Sequence, residues 1–143
     1  MKVIIAAAGT GGHINPGIAI ANVIKKHNPD AEITFVGTPR GLENDLVPRA
    51  GYKLKTIEAY GIKRKISFSN FKNACKTLKS YKTAKNIIKE IKPDIVIGTG
   101  GYICGPVFSN AFKYRIPTLI HESNAFPGVA VKVVFTFLDK TLT

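Results

Sequence analysis

The chain has 143 residues, 45% of them apolar, with 21 lysines and arginines against 9 acidic residues and a formal charge of +12. The apolar fraction excludes a disordered chain, and the length suits one domain that buries roughly two-thirds of its unfolded surface without staples. Cys75 and Cys104 form no CxxC and no zinc spacing, so the chain reads as cytosolic; no signal peptide is visible, and no stretch approaches the ~20 apolar residues of a membrane span.

Val3 to Ala8 is a short apolar run ended by Gly9, the pattern of a buried parallel strand. Gly9-Thr10-Gly11-Gly12 then reads as a turn. Pro16 suits a first helical turn with Asn15 as N-cap, and the helix continues to about Lys26. Asn28-Pro29-Asp30 breaks it. Ile33 to Val36 is a second strand closed by Gly37. Leu42, Leu46 and Val47 have helical spacing, which predicts a short helix over 40–49. Leu54 to Ile57 reads as a third strand, and Tyr60 to Ser67 as a loop.

A long helix is predicted over 69–92, because Phe71, Ala74, Leu78, Tyr81, Ala84, Ile88 and Ile91 recur at steps of three and four. Lys72, Lys76, Lys79, Lys82, Lys85, Lys89 and Lys92 follow the same rhythm one residue later. Between Tyr60 and Lys92, ten basic residues stand against one acidic residue, Glu90. A basic surface of this kind seeks nucleic acid, anionic lipid or anionic small molecules.

Ile95 to Ile97 is a fourth strand, followed by a second glycine-rich turn, Gly100 to Gly105, and a helix over 106–113. Pro117 to His121 is a fifth strand. Asn124 to Pro127 is a third turn, 128–138 is predicted helical, and Lys140 to Leu142 could begin a sixth strand. This alternation predicts an α/β domain: a Rossmann-like parallel sheet with helices on both faces and right-handed crossovers. Ligands of such sheets bind beyond the carboxyl ends of the strands, where all three polar turns would converge.

Gly9-Thr10-Gly11-Gly12-His13 lets backbone approach a ligand, and the following helix start offers free N–H groups to polar or anionic oxygens. It is not the dinucleotide fingerprint, since the last glycine position is Ile14, and no Gly-Lys-Ser/Thr follows to make a P-loop. A tight turn without a ligand remains the plain alternative. His13, at the helix entrance, could accept a proton from a sugar hydroxyl, or serve only as a polar surface or capping residue.

The second turn, Gly98-Thr99-Gly100-Gly101-Tyr102 with Cys104-Gly105-Pro106, holds four glycines in eight residues, more than a simple turn needs. In the third, Glu122 could bind hydroxyls or orient a neighbour and Asn124 could bridge two oxygens; a helix-dipole partner and an N-cap are the plain readings. Glu43, in a helical first turn, is ordinary helix chemistry. Ile62, Ile66, Phe68 and Phe71 interleave with Lys63, Arg64, Lys65 and Lys72, a composition suited to shallow insertion among anionic head groups, each cation contributing roughly 1 kcal/mol. A solvated basic loop is the alternative.

Together these stretches resemble the MurG family of glycosyltransferases. The resemblance rests on Gly9-Thr10-Gly11-Gly12-His13 with Pro16-Gly17, on Gly37-Thr38 with Leu42-Glu43 and Leu46-Val47-Pro48, and on Gly100-Gly101-Tyr102, Gly105-Pro106, Ile116-Pro117 and His121-Glu122-Ser123-Asn124. It spans nearly the whole chain and is weakest over Val129–Thr143. It implies the GT-B architecture, two Rossmann-like domains across a cleft, with residues 1–143 as the N-terminal, acceptor-side domain and the donor domain absent.

The implied enzyme is an inverting hexosyltransferase of peptidoglycan synthesis, and so of cell shape and division. It moves N-acetylglucosamine from UDP-N-acetylglucosamine to the MurNAc 4-hydroxyl of lipid I, giving lipid II, with no cofactor and no metal in the chemical step. Carried over by position, Thr10, Gly11, Gly12 and Asn124 contact the donor. His13 is the base and Glu122 its catalytic companion, while Tyr102, Gly101, Gly105 and Glu122 line the acceptor pocket. The family's membrane patch falls on Ile62, Lys63, Arg64, Ile66, Phe68, Phe71 and Lys72, which implies a peripheral protein on the cytoplasmic face of the cell membrane, with no nucleic-acid partner. The fragment alone is expected to be inactive, because catalysis depends on positioning two substrates.

Two other classes compete. A basic anion- or nucleic-acid-binding α/β module leaves the glycine turns unexplained and lacks the aromatic spacing of RNA-binding domains. A dinucleotide-dependent domain lacks both the fingerprint and an acidic residue ending the second strand, where Val36-Gly37-Thr38 stand.

Overall fold

A computed structural model describes residues 1–58 and 69–122, and of residues 69–77 the backbone alone. The elements run β1 (Lys2–Ala7), α1 (Gly11–His27), β2 (Glu32–Gly37), α2 (Glu43–Arg49), β3 (Lys53–Thr56), α3 (Ser69–Ile91), β4 (Ile95–Gly100), α4 (Cys104–Lys113) and β5 (Thr118–Ile120). All strand pairs are parallel, in the order β3-β2-β1-β4-β5. The expected doubly wound sheet is present. The helix 128–138, the strand 140–142 and the loop 60–67 lie outside the described residues.

Alternation along β1 builds the two faces. Ile4, Ala6 and Ala8 pack with Val96, Ile103, Val107, Phe108, Ala84 and Ile88 under α3 and α4. Val3, Ile5 and Ala7 pack with Ile14, Ala21, Phe35, Val47 and Ile97 under α1 and α2. A central strand covered on both faces is apolar throughout, and Val3 to Ala7 are fully buried. Fully burying a side chain such as Phe35 or Phe108 stabilises by about 2–3 kcal/mol.

Three helix starts differ from the sequence reading. α1 begins at Gly11 with Thr10 as N-cap, and Pro16 lies inside it. The carbonyl that loses its helical partner to Pro16 is that of Gly12, which sits at the exposed helix entrance and can turn to solvent. α4 begins at Cys104, so Gly105 is helical; Pro106 is its third residue, where an N–H has no intrahelical acceptor anyway. α2 begins at Glu43, after a turn over 40–42.

α3 matches the predicted span, but its buried stripe is rotated. Ser80, Ala84, Ile87 and Ile88 are buried, whereas Leu78 is 71% and Tyr81 37% exposed. Asn110 of α4 donates to the Tyr81 carbonyl at 3.0 Å and holds that turn of α3 by its backbone. Of the lysine row, Lys79, Lys82, Lys89 and Lys92 are exposed and Lys85 is half-buried.

Candidate active site

Crossovers leave β1 and β4 in opposite directions, so the crevice between their carboxyl ends is the topological switch point, where open α/β sheets bind ligands. Residues 8–13 fill one side and residues 99–103 the other.

β4 reaches the crevice through a bulge. Ala6 pairs with Gly98 but Ala7 pairs with Gly100, leaving Thr99 as the extra residue. A bulge re-aims side chains, and here it turns two successive positions toward α1. Gly98 faces α4: a Cβ there would lie 2.6 Å from Cε2 of Phe108. Thr99 and Gly100 both face α1. The buried Thr99 hydroxyl donates to the His13 carbonyl at 2.6 Å. A Cβ at Gly100 would fall on the His13 imidazole, 2.6 Å from Cε1, and Gly100 adopts φ +130°. Glycine is therefore what lets the imidazole rest on the β4 backbone. Beyond it, the Ala8 amide donates to the Gly100 carbonyl at 3.2 Å.

The first loop enters α1 with little internal capping. The carbonyl of Thr10 accepts from the amides of His13 (3.0 Å) and Ile14 (3.1 Å). Its side chain is exposed and makes no capping bond. The amides of Gly11 and Gly12 have no intrahelical acceptor. An uncapped hydroxyl and two amides without an intrahelical acceptor thus stand at the helix N-terminus, beside a half-buried His13.

On the other side, Tyr102 stands at the loop tip, 67% exposed. Gly101 adopts φ +95°, and a Cβ there would meet the Ala8 carbonyl at 2.7 Å. Gly105 faces open space in the first turn of α4. The amide of His121 donates to the Gly98 carbonyl at 2.8 Å, which brings the end of β5 beside β4. Glu122, half-buried, follows it.

Cys104 is buried with Sγ 3.7 Å from the Ala6 carbonyl. Burial pushes its thiol up to about 11; the Gly100 amide pulls the other way and the charge of Glu122 adds to the rise. A thiol so protonated is no nucleophile at neutral pH.

The residue that sequence reading passed over is Glu43. It is fully buried. Its Oε1 accepts from the Thr38 amide and the Thr38 hydroxyl, each at 2.7 Å, and its Oε2 accepts from the Gly9 amide at 3.0 Å. Burial pushes this carboxyl up, but the hydrogen bonds from Thr38, Gly9 and its own amide outweigh that and hold it below the ordinary value. Gly37 and Gly41 make room for it: a Cβ at Gly37 would lie 2.6 Å from its Cγ, and one at Gly41 2.5 Å from its Cδ.

His13, Thr10, Gly11, Gly12, Gly101, Tyr102, Gly105 and Glu122 therefore arise from the adjacent ends of β1, β4 and β5. Ile62, Lys63, Arg64, Ile66, Phe68 and Asn124 lie outside the described residues; Phe71 and Lys72 fall in the first turn of α3. No helix of the described residues is long and apolar enough to cross a membrane.

A glycine loop, a helix N-terminus and a histidine at the switch point of a parallel sheet define a doubly wound α/β domain, the class whose ligands bind at that point. The pattern of the glycosyltransferase family 28 N-terminal domain matches residues 3–143, and the chain belongs to that family.

Its relatives include the UDP-N-acetylglucosamine–N-acetylmuramyl-(pentapeptide) pyrophosphoryl-undecaprenol N-acetylglucosamine transferases of two bacteria. That of Ruminiclostridium cellulolyticum is 58% identical over 97% of this chain and 38% of its own length. That of Clostridioides difficile is 52% identical over 100% of this chain and 35% of its own. The chain thus spans a little over a third of these relatives. Among solved structures, Acinetobacter baumannii MurG superposes with TM-score 0.79 at 32% identity, over 94% of this chain and 39% of its own. A UDP-GlcNAc 2-epimerase from Neisseria meningitidis, at TM-score 0.66 and 18% identity over 96% of this chain and 39% of its own, shares the fold.

Proposed function

We propose that this chain is the acceptor-side half of an inverting N-acetylglucosaminyltransferase that acts on lipid I. The observation that carries the reading is the seat of His13 against Gly100, at the mouth of a crevice whose other wall is Gly101-Tyr102. In this reading the His13 imidazole takes the proton from the MurNAc 4-hydroxyl. That oxygen attacks the anomeric carbon of the donor sugar from the face opposite the nucleotide. The bond to the UDP oxygen breaks and UDP leaves with the electron pair, so the configuration inverts. Thr10 and the amides of Gly11 and Gly12 face the donor, with Asn124. Tyr102, Gly101 and Gly105 receive the acceptor, and Glu122 orients the neighbouring groups.

The experiment is transfer of labelled N-acetylglucosamine from UDP-N-acetylglucosamine to a lipid I analogue by the full-length protein that carries this segment. Product with inverted anomeric configuration supports the reading. Absence of transfer from this donor to any MurNAc-bearing acceptor would refute it.

The basic, apolar stretch from Ile62 to Lys72 is assigned to an anionic membrane surface, as a peripheral attachment on the cytoplasmic side. Sedimentation with anionic vesicles, lost on Lys63→Glu with Phe68→Ser, supports this. A gel shift with RNA at matched salt that outlasts vesicle binding would turn the assignment to nucleic acid.

A further inference from the structure

We propose that Glu43 is the positioning residue of the first glycine loop: its buried carboxylate holds the Gly9 amide and thereby sets where Thr10 to His13 face the ligand. Gly9 and Glu43 are 34 residues apart, and this hydrogen bond links the loop after β1 to the turn after β2. That turn is braced in its own right. Asn44 Nδ2 donates to the carbonyls of Thr38 (2.8 Å) and Gly41 (3.0 Å), so the platform under Glu43 does not depend on Gly9.

A carboxylate is a costly filler for this position. It is fully buried, and among the described residues its partners are amides and one hydroxyl, with no cation. Burying an ion without a counter-charge is unfavourable unless hydrogen bonds replace its water. An apolar side chain would pack α2 on β2 at lower cost. What only a carboxylate supplies is two acceptor oxygens, one for the β2 turn and one for the Gly9 amide. A Gln side chain has one such oxygen, so its NH2 must face either the Thr38 or the Gly9 N–H.

Gly9 has φ +95°, and among the described residues nothing beyond its chain neighbours lies within 4 Å of its Cβ position, so their packing does not fix it. The loop is thus clamped from one side by Glu43 and from the other by Gly100 and Gly101. His13 and Thr10 lie between the clamps.

The kinetic consequence rests on the transferase reading above; the structural consequence rests on geometry alone, so the two fail separately. The test uses three variants of the full-length protein. Glu43→Gln removes one acceptor. Gly41→Ala keeps the charge but drives a Cβ against the carboxylate. Thr38→Val removes a hydroxyl from Glu43 and leaves Gly9 held. Both exchange of the Gly9 amide and steady-state kinetics are measured.

The expected result is faster exchange of the Gly9 amide in Glu43→Gln and Gly41→Ala, with kcat lower by about 10- to 100-fold. The KM for the acceptor is expected to stay within about threefold, since the Tyr102 wall is untouched. Thr38→Val is expected to leave both readouts near wild type. If Glu43→Gln does not fold, Gly41→Ala decides alone. Unchanged exchange in Gly41→Ala, or equal effects of Thr38→Val and Gly41→Ala, would overturn the proposal and leave Glu43 as support for α2. Faster exchange with unchanged kcat would overturn the positioning role.

Discussion

The imidazole of His13 rests on the backbone of Gly100, and the Thr99 hydroxyl beside it holds the His13 carbonyl at 2.6 Å. One bulge in β4 thus sets both ends of the same residue. The contact joins the two glycine loops, and it explains why a position with φ +130° lies at the end of a buried strand.

Gly100→Ala is expected to displace the imidazole and lower transfer by the full-length protein by about 100-fold, the cost of misplacing a reacting group by about 1 Å. Far-UV circular dichroism should be unchanged, because the glycine ends the strand. A Gly100→Ala rate within a few-fold of wild type would show that the His13 seat does not matter.

Glu43 gives a pH signature. Its folded pKa lies below its ordinary value of 4.5, so the folded state binds that proton less readily than the unfolded state does. The stability it contributes is therefore complete above 4.5 and is lost as pH falls through the lower folded value. Denaturant midpoints of wild type and Glu43→Gln should differ most near pH 7 and converge on acidification. A gap that stays constant from pH 7 to pH 3 would contradict this.

Cys104 should resist alkylation. With its thiol raised to about 11 and its side chain buried, iodoacetamide at pH 8 should label it only when denaturant opens the core, as read by peptide mass spectrometry. Rapid labelling in the native protein would place Cys104 at the surface instead.

The segment 1–143 by itself is expected to transfer no N-acetylglucosamine, since catalysis requires donor and acceptor to be held together. Radiolabelled product from the purified segment would refute the proposed acceptor-side role.

Much of the fold was legible from periodicity. The runs Val3 to Ala8, Ile33 to Val36 and Ile95 to Ile97 follow directly from burial on both faces, and the long helix from its steps of three and four. The corrections come from tertiary structure. Pro16 looked like a helix start, yet the helix tolerates it because the carbonyl it strands is exposed. Gly98-Thr99-Gly100 looked like a turn, yet pairing with Ala6 and Ala7 keeps it in β4. Leu78 and Tyr81 fit the apolar rhythm of α3, but Ser80 takes the covered position.

Two of the polar loops were legible as lying at one edge, because glycines and a histidine after apolar strands are local signals; the third, Asn124 to Pro127, lies outside the described residues. Glu43 was not. Its environment is made by Gly9, far away in sequence, and an acidic residue in a helical first turn carries no mark of such a partner.

The most direct test compares full-length wild type with His13→Ala for single-turnover transfer and for binding of the lipid I analogue. Proton abstraction by His13 predicts a rate lower by about 100- to 10,000-fold with acceptor affinity nearly unchanged. A near-normal rate in His13→Ala would remove this residue from the chemistry and the crevice between β1 and β4 from its centre.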